Sequence, residues 1–203
     1  MSDLVWYTAY GSNLCESRFM AYINGSDGSL WPKTRGCRDK TPPSQDRTGT
    51  IPGKIYFAEH SKNWDDGGVA FYDPTVNDST TFVRMYLVTL DQFNDIFLQE
   101  SGLDDGDITA IVSQLAENTS AIYGTGWYRE VLRLTDVDGH PALTFTSPVR
   151  THGVELVAPS QSYLDVIEIG LKECKNLGTS EIAAYLKALP TSPSSNEKTN
   201  PLR

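Results

Sequence analysis

Residues 4–10 run Leu-Val-Trp-Tyr-Thr-Ala-Tyr, an unbroken series of β-branched, aromatic and small residues that predicts a buried first strand. Gly11-Ser12-Asn13 then supply turn chemistry, and Leu14, Phe19, Met20 and Ile23 recur at the spacing of a short helix. Apolar order then lapses: residues 24–53 read as a long loop rich in Gly, Pro, Ser and charge, of the length that is often functional or mobile. Strands follow over 54–59, 67–72 and 83–89, the first two separated by the turn-rich 60–66. Thr89 has the position and chemistry of an N-cap, with Asp91 in the first turn favoured by the helix dipole. Leu90, Phe93, Ile96 and Phe97 give helical spacing, and Gly102 supplies a stop.

A second short helix is expected over 108–117, and strands over 128–135 and 142–146, joined by a turn at Asp138-Gly139. Ser160 can cap a helix to about Lys175, ended by Gly178, and Ser180 a last helix from Glu181 to Leu189. Strands outnumber helices and alternate with them irregularly. This predicts a mixed α+β domain with a curved or closed sheet, and not a doubly wound parallel one. One domain is expected over 1–189, with a polar, disordered tail over 190–203.

Composition narrows the function. A net charge of -9 and a pI near 4.7 argue against a nucleic-acid backbone or an anionic membrane as partner. Cys15, Cys37 and Cys174 are an odd, widely spaced set, which suggests free thiols in a reducing compartment and not a disulfide framework or zinc site. No apolar stretch approaches the ~20 residues of a membrane span, and Met1-Ser2-Asp3 lacks the opening of a secretory signal. The expected location is the cytoplasm.

Two constellations can carry chemistry. Tyr10-Gly11-Ser12-Asn13-Leu14 takes a strand through a turn into a helix, where free backbone N–H groups can hold a carboxylate or phosphate; an ordinary capped turn is the other reading. Glu100 shares a helix face with Phe93, Ile96 and Phe97 at i, i+3, i+4, i+7 spacing. A carboxylate on that face is paired or raised in pKa by desolvation, which suits a general acid or base; the alternative is a frayed helix end in solvent. Tyr7, Tyr10, Tyr86, Tyr128 and Tyr163 read as core and sheet packing, some of them able to line a polar pocket. Arg35, Arg38 and Arg47 with Lys33 and Lys40 read as a solvated basic loop. The acidic turns at Asp65-Asp66 and Asp104 to Asp107 lack calcium-loop spacing, and no nucleophile-elbow, P-loop or dinucleotide motif is present.

Taken together, these segments resemble the γ-glutamyl cyclotransferase family. Tyr10 to Leu14 looks like its Y-G-S-N-L signature, Gly67-Gly68-Val69-Ala70 its G-G-x-A strand, and Arg84 to Leu87 with Leu90 to Phe93 its strand leading into a helix. Tyr128 resembles its tyrosine before the next strand, and Pro159 to Tyr163 with Ile167 and Gly170 its P-S-x-x-Y helix. The order holds over residues 4–178. The resemblance implies a mixed β-barrel with flanking helices, Glu100 as catalytic acid/base, and substrate contacts from Tyr10, Gly11, Ser12, Asn13, Leu14, Tyr128 and Tyr163. It implies a small γ-glutamyl substrate, release of 5-oxoproline, and neither cofactor nor metal. Departures are Ser101-Gly102 after Glu100 where the family has glycine, an insertion to about Ala121, and the long 24–53 loop. The chain also looks like bacterial relatives often labelled histone deacetylase, a label unsupported here because the His and Asp clusters of that chemistry are missing. The alternatives are a binding protein on the same fold, and an amide-cleaving or acyl-transfer enzyme using Cys15. The oligomeric state is not legible in the sequence.

Overall fold

The computed structural model describes residues 3–115, 119–174 and 177–190; the tail expected over 190–203 lies outside them from residue 191 onward. In chain order the elements are β1 (Leu4–Ala9), a 3-10 turn (Ser12–Leu14), α1 (Glu16–Asn24), β2 (Gln45–Pro52), β3 (Lys54–Ser61) and β4 (Gly67–Asp73). There follow β5 (Thr80–Thr89), α2 (Leu90–Glu100), α3 (Thr109–Gln114), β6 (Ser120–Ile122), β7 (Glu130–Arg133), β8 (Ala142–Thr146), α4 (Gln161–Glu173) and α5 (Thr179–Ala188). The class is α+β, as expected. Six strands form one sheet in the order β2-β5-β1-β8-β7-β6, and β3 and β4 form a separate antiparallel pair.

β1 lies at the centre of the large sheet, antiparallel to β5 and parallel to β8. That position explains its unbroken apolar run, since both faces are covered. Val5, Tyr7 and Ala9 pack toward α1 and α2 with Phe19, Phe93, Ile96 and Phe97, while Trp6 joins Leu87 and Ala142 in a separate cluster. β3 and β4 bury Ile55, Phe57, Val69 and Phe71 in a second core with Leu14 and the Tyr163, Ile167 and Leu171 face of α4.

The strands do not close into a barrel among the described residues; the two sheets are joined through side chains. Along one edge of β4, Gly68 N donates to Ala158 O (2.9 Å), Ala70 N to the Tyr163 hydroxyl (3.2 Å) and Tyr72 N to Thr146 Oγ1 (2.8 Å). Tyr128 donates to Ala70 O and Thr146 to Tyr72 O, both at 2.9 Å. Among the described residues, β4 and β8 therefore meet through hydroxyl groups where a closed barrel would have strand pairing.

Several boundaries differ from the sequence expectation. The loop over 24–53 ends early, because Gln45–Pro52 pairs in register along β5 as an edge strand. Its side chains are mostly exposed, so it lacks the apolar alternation that announces a strand. α1 begins at Glu16 because Ser12–Leu14 first close a tighter turn. β6, inside the expected insertion, pairs with β7. α5 starts at Thr179, with Gly178 in place of Ser180 at its cap and no capping side chain. α4 ends at Glu173, before the expected stop. Thr89 does cap α2, in a full capping box with Gln92, and Ser160 caps α4 through Tyr163 N.

Candidate active site

The turn after β1 and the end of α2 meet at a cavity of about 160 Å³. Its lining includes Tyr10, Gly11, Ser12, Asn13, Glu100, Tyr128 and Tyr163, so the structure brings together all but one of the residues to which the resemblance gave a catalytic or substrate-binding role. The exception is Leu14, whose side chain is fully buried in the core beneath α4. No residue of 24–53 is among the lining. Residues 36–41 of that segment are tied to α2 by Gln99, Asp95 and Gln92.

Glu100 ends α2 and faces inward, as its spacing predicts. Asn13 Nδ2 donates to Glu100 Oε1 at 2.8 Å and to the Tyr7 hydroxyl at 3.0 Å. Asn13 is itself held by the Tyr86 hydroxyl, which donates to its backbone oxygen. Glu100 is partly buried as a residue, but its carboxylate sits among Asn13, Tyr22 and Arg18. Desolvation pushes its pKa up, opposed by the Arg18 charge and by hydrogen bonds from Tyr22 and Asn13. A carboxyl in that setting can exchange a proton nearer neutrality than an exposed one.

The tyrosines line the cavity, but their hydroxyls are committed. Tyr10 donates to Phe145 O, Tyr128 to Ala70 O, and Tyr163 accepts from Ala70 N. Ser12 also lies within hydrogen-bonding range of the Tyr163 hydroxyl, through both its amide and its side chain. Gly11 is required by that crowding, since a Cβ there would sit 2.9 Å from the Tyr163 hydroxyl. The Asn13 amide nitrogen is likewise in use, which leaves its Oδ1 as the free atom, with no partner.

Sequence reasoning missed Arg18 and Tyr22, which line the cavity from α1. Arg18 is 4% exposed, and its Nη2 donates to the Tyr22 hydroxyl at 2.5 Å. The signal was present: Leu14, Arg18 and Tyr22 recur at four-residue spacing on the helix face that Phe19 and Ile23 show to be buried. Trp127 and Asn63, both exposed, mark the mouth.

Cys15 sits behind this wall, with hydrogen-bond partners Ser17 and Glu173 and no imidazole or cation among them. All three cysteines are free and buried. Among the described residues no group of three His, Cys, Asp or Glu is placed to hold a metal, and no helix is long and apolar enough to cross a membrane.

No family model matches the chain. Histone deacetylase 5 of Arabidopsis thaliana is 32% identical to it over 206 residues, which cover 93% of this chain but 31% of that protein. The chain thus spans about a third of the length of this curated relative. A solved structure of an uncharacterized protein from Homo sapiens is similar over 96% of this chain and 92% of its own, with a TM-score of 0.55 and 16% identity. A gamma-glutamyl cyclotransferase structure is similar over 99% of this chain and 94% of its own, with a TM-score of 0.52 and 15% identity. At such identities what is shared is the architecture: the chain has the γ-glutamyl cyclotransferase-like fold.

Proposed function

We propose that the protein is a cyclotransferase that cleaves a small γ-glutamyl amide, releasing 5-oxoproline and an amine or amino acid. The observation that carries this reading is the Glu100 carboxylate, held by Asn13 at 2.8 Å in the wall of a cavity bounded by the Gly11–Asn13 turn. The likeness to a gamma-glutamyl cyclotransferase structure supports it at the level of fold.

In this reading Glu100 takes a proton from the substrate's α-ammonium. The freed amine attacks the γ-carbonyl, closing a five-membered ring. The C–N bond to the leaving group breaks as Glu100 returns the proton to the departing nitrogen, and the ring nitrogen sheds its remaining extra proton to the released amine or to solvent, leaving the neutral lactam. One carboxylate serves both steps, and the intramolecular attack makes a held near-attack geometry a large part of the rate. Backbone amides of the turn are suited to the charge that develops on the carbonyl oxygen. The cavity lies below the ~300–1,000 Å³ of common ligand pockets, which suits one amino-acid head with the leaving group directed toward Trp127 at the mouth. Acyl transfer through Cys15 is less well supported, since Cys15 is not among the residues that line the cavity and its hydrogen-bond partners include no imidazole.

The test is 5-oxoproline release from a panel of γ-glutamyl amines and dipeptides. Wild type should release it from at least one member, and Glu100→Gln should lower the rate by at least ~10²-fold. Absence of release across the panel would leave a binding protein on this fold as the better reading. Release unaffected by the substitution would remove Glu100 from the mechanism.

A further inference from the structure

Arg18 is the unusual charge of this molecule. Two other guanidinium groups with little exposure meet carboxylates: Arg84 meets Glu16, Asp46 and Glu173, and Arg150 meets Glu130. Arg18 makes no ion pair among the described residues, although it is 4% exposed. Its Nε and Nη1 have no hydrogen-bond partner. The group is nevertheless fixed in place, by the Tyr22 hydroxyl at 2.5 Å and by the Tyr22 ring, whose centroid lies 4.4 Å from the guanidinium carbon. Glu100 is close enough for the two charges to interact, yet two desolvated guanidinium donors stay idle, which is costly unless a ligand oxygen completes them. It lines the cavity, where it is the single Lys, Arg or His, just as Glu100 is the single carboxylate. Asn13 Oδ1, an acceptor with no partner, belongs to the same wall.

One anion, one cation and one idle acceptor around a small cavity are the complement of a zwitterion. We propose that Arg18 anchors the free carboxylate of the ligand's amino-acid head, while Asn13 Oδ1 and Glu100 receive its ammonium group. This rests on the cyclotransferase reading and deepens it. With the carboxylate on Arg18, the site rejects a ligand whose carboxylate has been capped as an amide. A planar fork suits a carboxylate bidentately, so lysine at this position is a poor replacement.

The test compares binding of 5-oxoproline with that of its carboxamide, by calorimetry, in wild type, Arg18→Gln and Arg18→Lys. Melting curves accompany each variant. Wild type should bind the acid at least ~10-fold more tightly than the amide, a gap of about 1.4 kcal/mol. Arg18→Gln should abolish the gap by weakening the acid alone, and Arg18→Lys should restore part of it. A merely structural arginine would weaken acid and amide together, which overturns the proposal. Equal binding of both ligands by wild type also overturns it, and does so even where Arg18→Gln fails to fold. Turnover of γ-glutamyl amides with the gap intact in Arg18→Gln would sink the anchor and spare the cyclotransferase. A gap that Arg18→Gln abolishes, without turnover of any γ-glutamyl amide, would support the anchor and sink the cyclotransferase. Binding of neither ligand would overturn both.

Discussion

At the scale of single residues, the end of α2 holds a conflict between function and stability. Desolvation raises the Glu100 pKa above the ordinary carboxylate value, against the Arg18 charge and hydrogen bonds from Tyr22 and Asn13. A carboxyl that holds its proton more tightly in the folded state than in the unfolded chain adds stability fully only below its unfolded pKa, about 4.3. That contribution is lost as pH rises through the raised folded value, so the ionised group weakens the fold at neutral pH. Glu100→Gln carries no such charge. It should therefore melt higher than wild type near pH 8, with the difference shrinking toward pH 4, as thermal melting across that range would show. A variant that melts lower at pH 8 would mean that the contacts with Arg18, Tyr22 and Asn13 outweigh desolvation. Glu100 was legible in the sequence because it continues an apolar helical face. Arg18 was not, because a charged residue four positions along from Leu14 reads as solvent-exposed until Phe19 and Ile23 show that its side of α1 is buried.

At the scale of elements, the site turn is set by a contact between segments more than 150 positions apart. A Cβ at Gly170 of α4 would lie 2.4 Å from Cys15 N and from the Leu14 carbonyl carbon. Only a hydrogen at Gly170 lets α4 rest on the 3-10 turn that presents Ser12 and Asn13 to the cavity. Gly170→Ala should therefore destabilise by about 1–3 kcal/mol, as overpacking does, and displace the turn. Urea unfolding would measure the first effect, and the rate of 5-oxoproline release the second. Gly178→Ala is the control, because no atom lies within 4 Å of its added Cβ and its φ is an ordinary -77°; it should leave stability within about 1 kcal/mol. Equal behaviour of the two variants would mean that α4 can retreat without cost. Strands with apolar runs, such as β1 and β4, were legible from pattern alone. β2 was not, because an exposed edge strand such as Gln45–Pro52 is defined by backbone pairing with β5 and needs no apolar alternation.

At the scale of the whole molecule, the sheets do not close into a barrel among the described residues: no ladder joins the β3–β4 pair to the six-stranded sheet. The edge of β4 is instead satisfied by the hydroxyls of Tyr128 and Tyr163 at Ala70 and of Thr146 at Tyr72. Those pairings join residues 58 to 93 positions apart, which no local pattern reveals. Hence the resemblance implied a mixed barrel, while the structure holds two sheets that meet through hydroxyl groups. Thr146 is the cleanest test, since it is fully buried and is not among the residues that line the cavity. Its single hydroxyl accepts from Tyr72 N and donates to Tyr72 O. Valine matches threonine in shape but removes both bonds, leaving two buried backbone groups unpartnered at about 1–3 kcal/mol each. Serine keeps the hydroxyl and loses one methyl, worth about 1 kcal/mol. Thr146→Val should thus unfold at distinctly lower urea than Thr146→Ser, although it preserves more apolar surface. The reverse order would show that packing alone holds the seam.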